Sequence, residues 1–256
     1  QAEDGIRDYK VTGVQTCALP IYPVLEALEA GATLDKIFIH QGSDMQRFET
    51  IINIAAQREI PVNSVPLVKL DKLTRSNHQG IVAYLSPVSF LSLEDLVLEQ
   101  EQKNSPGLFI ILDQLTDARN FGGIIRTAEC TGVSALIIQK TGGAPVNADT
   151  VKTSAGAVFN VPICKVDHVK DAIYYLQGSG YKVFGASEKA TDSYFKTDFN
   201  GPTVIVMGSE DKGISKSVLG LLDGLISIPM LGKTKSLNVS VAAGAILFEV
   251  LRQRSH

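Results

Sequence analysis

The chain has 256 residues, of which 45% are hydrophobic and 20% charged, and its formal net charge is −3. This composition is typical of a folded globular protein with one large or two modest domains. No apolar run approaches the roughly 20 residues of a membrane span, so we expect no membrane association. Three scattered cysteines exclude a disulfide framework and a zinc site, so we expect a cytoplasmic protein without metal.

The first 21 residues look foreign to the rest of the chain. They lack the apolar core of a secretion signal and the Arg-rich pattern of a transit peptide. Residues 11–21 resemble the translation of a sequencing-library adapter, so we predict that residues 1–21 are a non-native segment. The alternative is a genuine N-terminal arm, and burial of Val14, Leu19 and Ile21 in a core would contradict the prediction.

Residues 22–88 have the pattern of a small α/β domain, near the lower size limit for independent folding. Apolar spacing and turn residues predict a helix from Val24 to Gly31, a strand at 36–40, a helix at 48–55, and strands at 61–65 and 80–85.

Residues 89–105 are rich in Ser, Glu and Gln, which predicts an exposed linker with a helical turn at 93–99. Residues 106–256 then alternate strands and helices, which predicts a parallel sheet with helices on both faces. The predicted strands are 108–113, 134–139, 161–166, 181–186, 203–207 and 225–228. The predicted helices are 122–132, 168–178, 214–222 and 238–253.

The loops of this second half do not match a nucleotide-phosphate site. No Gly-x-Gly-x-x-Gly follows its first strand, and Gly208-x-x-x-x-Gly213 is followed by Ile-Ser where a P-loop needs Lys-Ser/Thr. What remains are Gly-rich loops flanked by apolar side chains. Such loops suit a ligand with an adenine, a ribose and a zwitterionic tail, held largely by main-chain groups.

Three motifs lie where predicted strands give way to loops or helices, which is where open α/β sheets build their sites. They are Asn120-Phe121-Gly122-Gly123-Ile124-Ile125-Arg126-Thr127-Ala128, then Val206-Met207-Gly208-Ser209-Glu210-Asp211-Lys212-Gly213, and Ile228-Pro229-Met230 with Ser236-Leu237-Asn238-Val239-Ser240. In this order they resemble the three signature motifs of the SpoU (TrmH-like) branch of the SPOUT methyltransferases. The resemblance covers roughly residues 23–254, and residues 77–83 are particularly close.

The resemblance implies a fold and a cofactor. Residues 106–256 would form a parallel-sheet α/β domain with a trefoil knot, and residues 22–88 a domain similar to ribosomal protein L30e. The cofactor would be S-adenosylmethionine, bound in the knotted region. Carried over by motif, its contacts are Gly208, Ile228 and Leu237, flanked by Met207 and Met230. The alternative for these positions is turn geometry or ordinary core packing.

The resemblance also implies methyl transfer to a ribose 2′-hydroxyl of RNA, with Arg126, Asn120, Glu210, Ser236 and Asn238 in the active site. Arg126 is either the general base or an electrostatic stabiliser, because a guanidinium rarely gives up its proton. Asn120 suits the orientation of Arg126 or of the ribose. Glu210 has a structural role as its alternative, and Ser236 and Asn238 have helix capping as theirs.

The substrate expected from this resemblance is a guanosine of 23S rRNA, selected by residues 22–88 through Arg75, Asn77 and His78. A tRNA ribose and a non-catalytic ribosome-assembly role are the alternatives. We also expect a homodimer through the last helix, where residues 242–245 are small. Ile246, Leu247 and Val250 would supply its apolar area.

Overall fold

The computed structural model describes residues 18–19, 21–29, 31–74, 77–103, 105–234 and 236–255. The chain divides into two compact units, Gln1–Pro87 and Val88–His256. None of the helices within the described residues is long and apolar enough to span a bilayer.

Within its described residues, the first unit contains a four-stranded sheet and three α-helices. In chain order these are β1 (Ala18–Leu19), α1 (Ile21–Glu29), β2 (Leu34–His40), α2 (Glu49–Gln57), β3 (Val62–Val65), α3 (Leu67–Leu73) and β4 (Ile81–Leu85). The strand order is β1-β4-β2-β3, with β2 parallel to β3 and antiparallel to β4. The predicted strands and the first two helices are confirmed, whereas α3 is an addition. Only Leu70 of α3 is fully buried, so its apolar signal is weak.

The predicted non-native segment overlaps the described residues only at its end. The backbone of Ala18 and Leu19 pairs with Tyr84 and Ala83 of β4. Val14 and the side chains of Leu19 and Ile21, whose burial would test the prediction, lie outside what the structure describes. The origin of residues 1–21 stays a prediction.

The second unit is a parallel α/β domain. Its elements are α4 (Leu93–Glu101), β5 (Leu108–Leu112), α5 (Ala118–Cys130), β6 (Ala135–Gln139), α6 (Ala148–Thr153), β7 (Ile163–Val166), α7 (Val169–Gly178), β8 (Lys182–Ala186), β9 (Thr203–Met207), α8 (Lys216–Leu219), β10 (Gly224–Ile226) and α9 (Val239–Arg254). All pairs in the six-stranded sheet are parallel, in the order β10-β8-β9-β5-β6-β7. This confirms the predicted parallel sheet and all six of its strands.

Both faces of this sheet are covered, so its central strands are apolar throughout. On β5, Leu108, Ile110 and Leu112 face a core shared with α5 and α9, while Phe109 and Ile111 face a core shared with α4 and α7.

The linker expected at 89–105 is not an exposed connector. Leu93, Leu96 and Val97 of α4 are buried in the second of these cores, because their i, i+3, i+4 spacing forms an apolar stripe among acidic residues. Just before α4, the Leu91 amide donates to the Ile163 carbonyl at 3.0 Å, alongside β7. These residues therefore pack as part of the second unit.

Two helices of the second unit differ from prediction in their boundaries, and one helix was not predicted. Helix α5 begins at Ala118 rather than 122, because the Asp117 carboxylate accepts from the Arg119 and Asn120 amides at 2.9 and 2.7 Å. Helix α8 covers only Lys216–Leu219 of the predicted 214–222. Helix α6 was not predicted, although Asn147 and Thr150 form a capping box at its start.

Helix α9 packs its apolar face against the sheet. Ile246, Leu247 and Val250, expected to supply dimer area, are buried in the core of their own unit. The expectation is wrong for these three side chains, because the helix phase turns them inward. The exposed apolar residues of α9 are Val241, Phe248 and Leu251.

The last turns of α9 contain a buried carboxylate that should make stability depend on pH. Arg252 donates to both oxygens of Glu249 at 2.8 Å, and Gln253 donates to one of them at 2.8 Å. These hydrogen bonds lower the pKa of Glu249 from 4.5 to about 2.

A carboxylate with a lowered pKa stabilises the fold fully above its unfolded pKa, and this contribution is lost as the pH falls through the folded value. We therefore expect the difference in unfolding free energy between wild type and Glu249→Gln to be constant above about pH 4.5 and to shrink towards pH 2. Urea denaturation at a series of pH values measures it. A pH-independent difference would contradict the assignment.

Candidate functional site

A cavity of about 410 Å³ lies at the carboxyl ends of three neighbouring strands of the second unit. Strands β8, β9 and β10 end at Ala186, Met207 and Ile226, and the loops that follow them form its walls. Ligands of open parallel sheets bind outside these strand ends. Its size is within the range of small-molecule and cofactor sites.

All five residues predicted as cofactor contacts line this cavity: Met207, Gly208, Ile228, Met230 and Leu237. Ile226, Val239, Ala242 and Ile246 add apolar surface, while Ser209, Asp211 and Lys212 add polar groups. The cavity therefore combines an apolar surface with a polar rim.

Gly208 permits a tight turn in the loop after β9. Ser209 and Gly213 exchange two backbone hydrogen bonds of 3.1 and 2.9 Å, which folds the loop back on itself. A Cβ at position 208 would overlap the backbone of Gly213 and Ile214. Glycine is thus required here by close approach of the backbone, and the loop still borders the cavity.

Three polar side chains, one from each motif, form a closed hydrogen-bonded triangle. Asn120 Nδ2 donates to Glu210 Oε1 at 2.7 Å. Asn238 Nδ2 donates to the same oxygen at 2.8 Å and to Asn120 Oδ1 at 2.9 Å. The triangle joins the start of α5 to the loops after β9 and β10, so the three motifs meet in space.

Asn238 also caps α9. Its Oδ1 accepts from the Ser240 amide at 3.0 Å and from Ser240 Oγ at 2.6 Å. Asn238 therefore caps the helix, which was the alternative role considered for it, and also belongs to the triangle. Ser236 instead lines the cavity, and the helix cap does not involve it.

Arg126 is exposed on α5 and does not line the cavity. Within the described residues its guanidinium has no hydrogen-bond or ion-pair partner, although Glu129 follows one turn later. Asn120 is engaged with Glu210 and Asn238, so it does not orient Arg126. Arg126 is therefore free to meet a ligand that approaches from solvent.

Sequence reasoning missed one wall of the cavity, formed by Ser187, Glu188 and Lys189 after β8. The position of this segment could have identified it, because it follows a predicted parallel strand and ligands bind at such strand ends. It also missed Asp113 at the end of β5, a buried carboxylate that accepts from the Ser215 amide at 2.6 Å and holds the loop after β9.

The residues predicted to bind substrate lie in the first unit. Arg75 lies outside the described residues. Asn77 is exposed, whereas His78 is buried, with both ring nitrogens bonded within the unit. Across the described part of the chain, no group of three or more His, Cys, Asp or Glu side chains is placed to hold a metal ion.

Two protein families match this chain, one over each unit. The SpoU rRNA methylase family matches residues 107–248, and a family described as RNA 2′-O ribose methyltransferase substrate binding matches residues 21–91. The chain belongs to the SpoU methylase family. It is thus an RNA methyltransferase of the SpoU/TrmH family, as the three motifs predicted.

A TrmH family tRNA/rRNA methyltransferase of Staphylococcus saprophyticus is 35% identical over 235 residues, which cover 92% of this chain and 94% of that protein. The AdoMet-bound rRNA methyltransferase of Sinorhizobium meliloti is 25% identical with a TM-score of 0.60, over 96% of this chain and 89% of that one.

The SpoU methyltransferase AviRb of Streptomyces viridochromogenes, crystallised with AdoMet, has a TM-score of 0.60 at 24% identity, covering 93% of this chain and 90% of that one. These likenesses confirm the predicted α/β fold class, and both of these neighbours were crystallised with AdoMet, the cofactor predicted from the motifs. The trefoil knot stays a prediction.

Proposed function

We propose that this SpoU family protein transfers a methyl group from S-adenosylmethionine, bound in the cavity after β8, β9 and β10, to a ribose 2′-hydroxyl of RNA. The observation that carries this proposal is the Asn120–Glu210–Asn238 triangle. It brings all three family motifs to the rim of one cavity of cofactor size.

The residues present fit the cofactor. Ile228, Leu237 and Met207 offer apolar surface to an adenine, and the Gly208 turn lets the main chain approach closely. Charged groups at the rim, among them Glu188 and Lys212, suit a zwitterionic tail. When bound, the cofactor supplies an activated methyl group on a sulfonium.

Arg126 serves the RNA side of the reaction. Its exposed guanidinium stays protonated throughout, so it stabilises the negative charge that develops on the ribose oxygen. The hydroxyl proton passes to water or to an RNA phosphate, and S-adenosylhomocysteine leaves. The triangle fixes the start of α5, which holds Arg126 at a set position relative to the cavity. Ser236, exposed at the rim, is placed to contact the ribose or the cofactor.

The substrate that we propose is a guanosine in a structured loop of 23S rRNA, modified in the cytoplasm. Every nucleotide presents the same 2′-hydroxyl, so selectivity has to come from RNA shape or splayed bases. The first unit, which matches a substrate-binding family, is the element that we assign to this selection. A tRNA is the second candidate, because the relatives' names include both RNA classes.

The experiment that tests this function is to map ribose methylation on total bacterial RNA treated with the protein and S-adenosylmethionine. Methylation of one 23S rRNA guanosine supports the proposal, and methylation confined to tRNA overturns the choice of substrate. Calorimetry with S-adenosylmethionine separates an enzyme from a non-catalytic RNA-binding factor, since the latter would give no heat when correctly folded.

We also propose that the protein is a homodimer that pairs through α9. Val241 and Phe248 are seven residues apart on this helix, and they are 55% and 53% exposed. Gly244 and Ala245 lie between them and permit a close approach. Such an exposed apolar stripe is typical of a protein interface rather than of scattered surface residues.

Phe248→Glu is expected to convert the dimer to a monomer at micromolar concentration, because it replaces the largest apolar side chain of the stripe with a charged one. Light scattering measures the change. Tyr174→Glu is the matched control, since Tyr174 is 58% exposed on α7, on the opposite face of the sheet. A wild-type monomer with full activity would count decisively against the dimer.

A further inference from the structure

A strained turn in the first unit presents a glutamine side chain. The Ile81 amide donates to the His78 carbonyl at 2.9 Å, and the two residues between them have φ of 50° (Gln79) and 88° (Gly80). This is the geometry of a type I′ turn. Glycine adopts it readily, whereas glutamine does so at a cost, and residues held in this way cluster at functional sites.

His78 holds this turn in place. Its Nδ1 accepts from the Gly80 amide at 3.0 Å, so its Nε2 carries the proton and donates to Asp71 Oδ1 at 3.0 Å. The side chain is 11% exposed, and both ring nitrogens are already bonded within the unit. His78, predicted as a substrate contact, is therefore a positioning residue.

This turn, through Gln79, holds the side chain of an arginine in position. Arg47 Nη2 donates to Gln79 Oε1 at 3.2 Å, and its guanidinium carbon lies 5.8 Å from the centre of the Phe48 ring. Arg47 is exposed, and among the described residues it forms no ion pair. Of its five N–H donors, one is used by Gln79, so the others are available to a ligand.

We propose that Arg47, held by Gln79 and the His78 turn, is a specificity-determining contact of the first unit with RNA. This inference rests on the proposed function and names the group that reads the substrate. A planar guanidinium fixed along one edge offers parallel donors to two adjacent acceptors. In RNA these are the two oxygens of a phosphate, or O6 and N7 of a splayed guanine.

The test compares Arg47→Ala with Arg58→Ala, which removes the same charge from the other end of α2. Methylation kinetics use a transcript that spans the mapped site. We expect Arg47→Ala to raise the KM for RNA about 10-fold or more with unchanged affinity for S-adenosylmethionine, and Arg58→Ala to stay near wild type.

Two further arms identify the acceptor. If Arg47 contacts a phosphate, Arg47→Ala weakens binding to all transcripts and reduces the slope of log affinity against log salt concentration by about one. If Arg47 contacts a guanine, a transcript with 7-deazaguanosine, which lacks N7, should raise the KM of the wild-type protein as Arg47→Ala does. The guanine result supports the proposal, whereas the phosphate result shows an RNA contact that does not determine specificity and overturns it.

The role of His78 is tested by a double-mutant cycle. His78→Ala should raise the KM for RNA as Arg47→Ala does, and the double variant should be no worse than either, because both act through one contact. Full additivity, or an Arg47→Ala variant indistinguishable from Arg58→Ala, overturns the inference. Those results leave the proposed function standing, which fails only if the wild-type protein does not methylate RNA.

Discussion

Arg126→Ala is expected to lower the rate of methyl transfer by about 10²–10³-fold, the usual effect of removing one charge-stabilising donor. The affinity for S-adenosylmethionine should stay within a few-fold of wild type, because Arg126 is exposed on α5 and does not line the cavity. Single-turnover methylation and calorimetry measure the two quantities separately.

Arg119→Ala is the matched control for this variant, because Arg119 is the other exposed arginine of α5. A similar loss of activity in both variants would indicate that the net charge of the helix matters rather than the position of Arg126. Equal loss of cofactor binding and activity in Arg126→Ala would show that Arg126 does not belong to the RNA side.

Gly208→Ala is expected to weaken S-adenosylmethionine binding by about 10- to 100-fold. The added Cβ overlaps the backbone of Gly213 and Ile214, so the loop after β9 has to open. Overpacking of this kind costs about 1–3 kcal/mol, and 1.4 kcal/mol corresponds to a tenfold change in affinity. Calorimetry measures the affinity, and thermal unfolding reports whether the domain remains folded.

Gly220→Ala is the control for Gly208→Ala. Gly220 ends α8 with φ of −72°, and a Cβ there meets no atom within 4 Å. Its affinity for the cofactor should equal that of wild type. If Gly208→Ala binds the cofactor as tightly as Gly220→Ala does, the loop is not part of the binding site.

The sequence predicted the central sheet well, because buried parallel strands are continuous apolar runs between turn residues. It failed for α6 and α3, which are short and have few buried apolar side chains. It also placed the start of α5 four residues late. That boundary depends on the Asp117 cap, a polar contact that apolar periodicity does not report.

For the candidate site, the motifs predicted which residues to consider but not how they contact one another. Asn120, Glu210 and Asn238 were all candidates, yet their mutual hydrogen bonds depend on where three separate loops converge. His78 shows the limit most clearly. A polar residue in a polar loop is a reasonable candidate for RNA contact, and only its burial and its two partners show that it supports the turn instead.

Helix α9 combines several roles along a single 16-residue length. It is capped by Asn238 of the triangle, lines the cavity with Ala242 and Ile246, and exposes Phe248 to solvent. At its end Arg254 donates to the carbonyl oxygens of Phe199, Pro106 and Gly201 at 2.7–2.9 Å.

An inserted or deleted residue in α9 would rotate everything beyond it by about 100° and shift it by about 1.5 Å. The cavity wall, the core, the exposed stripe and the Arg254 anchor would then fall out of register together. A point substitution can change any one of these roles alone, whereas a change in the length of the helix disturbs all of them. We therefore expect α9 to evolve by exchange of side chains at constant length.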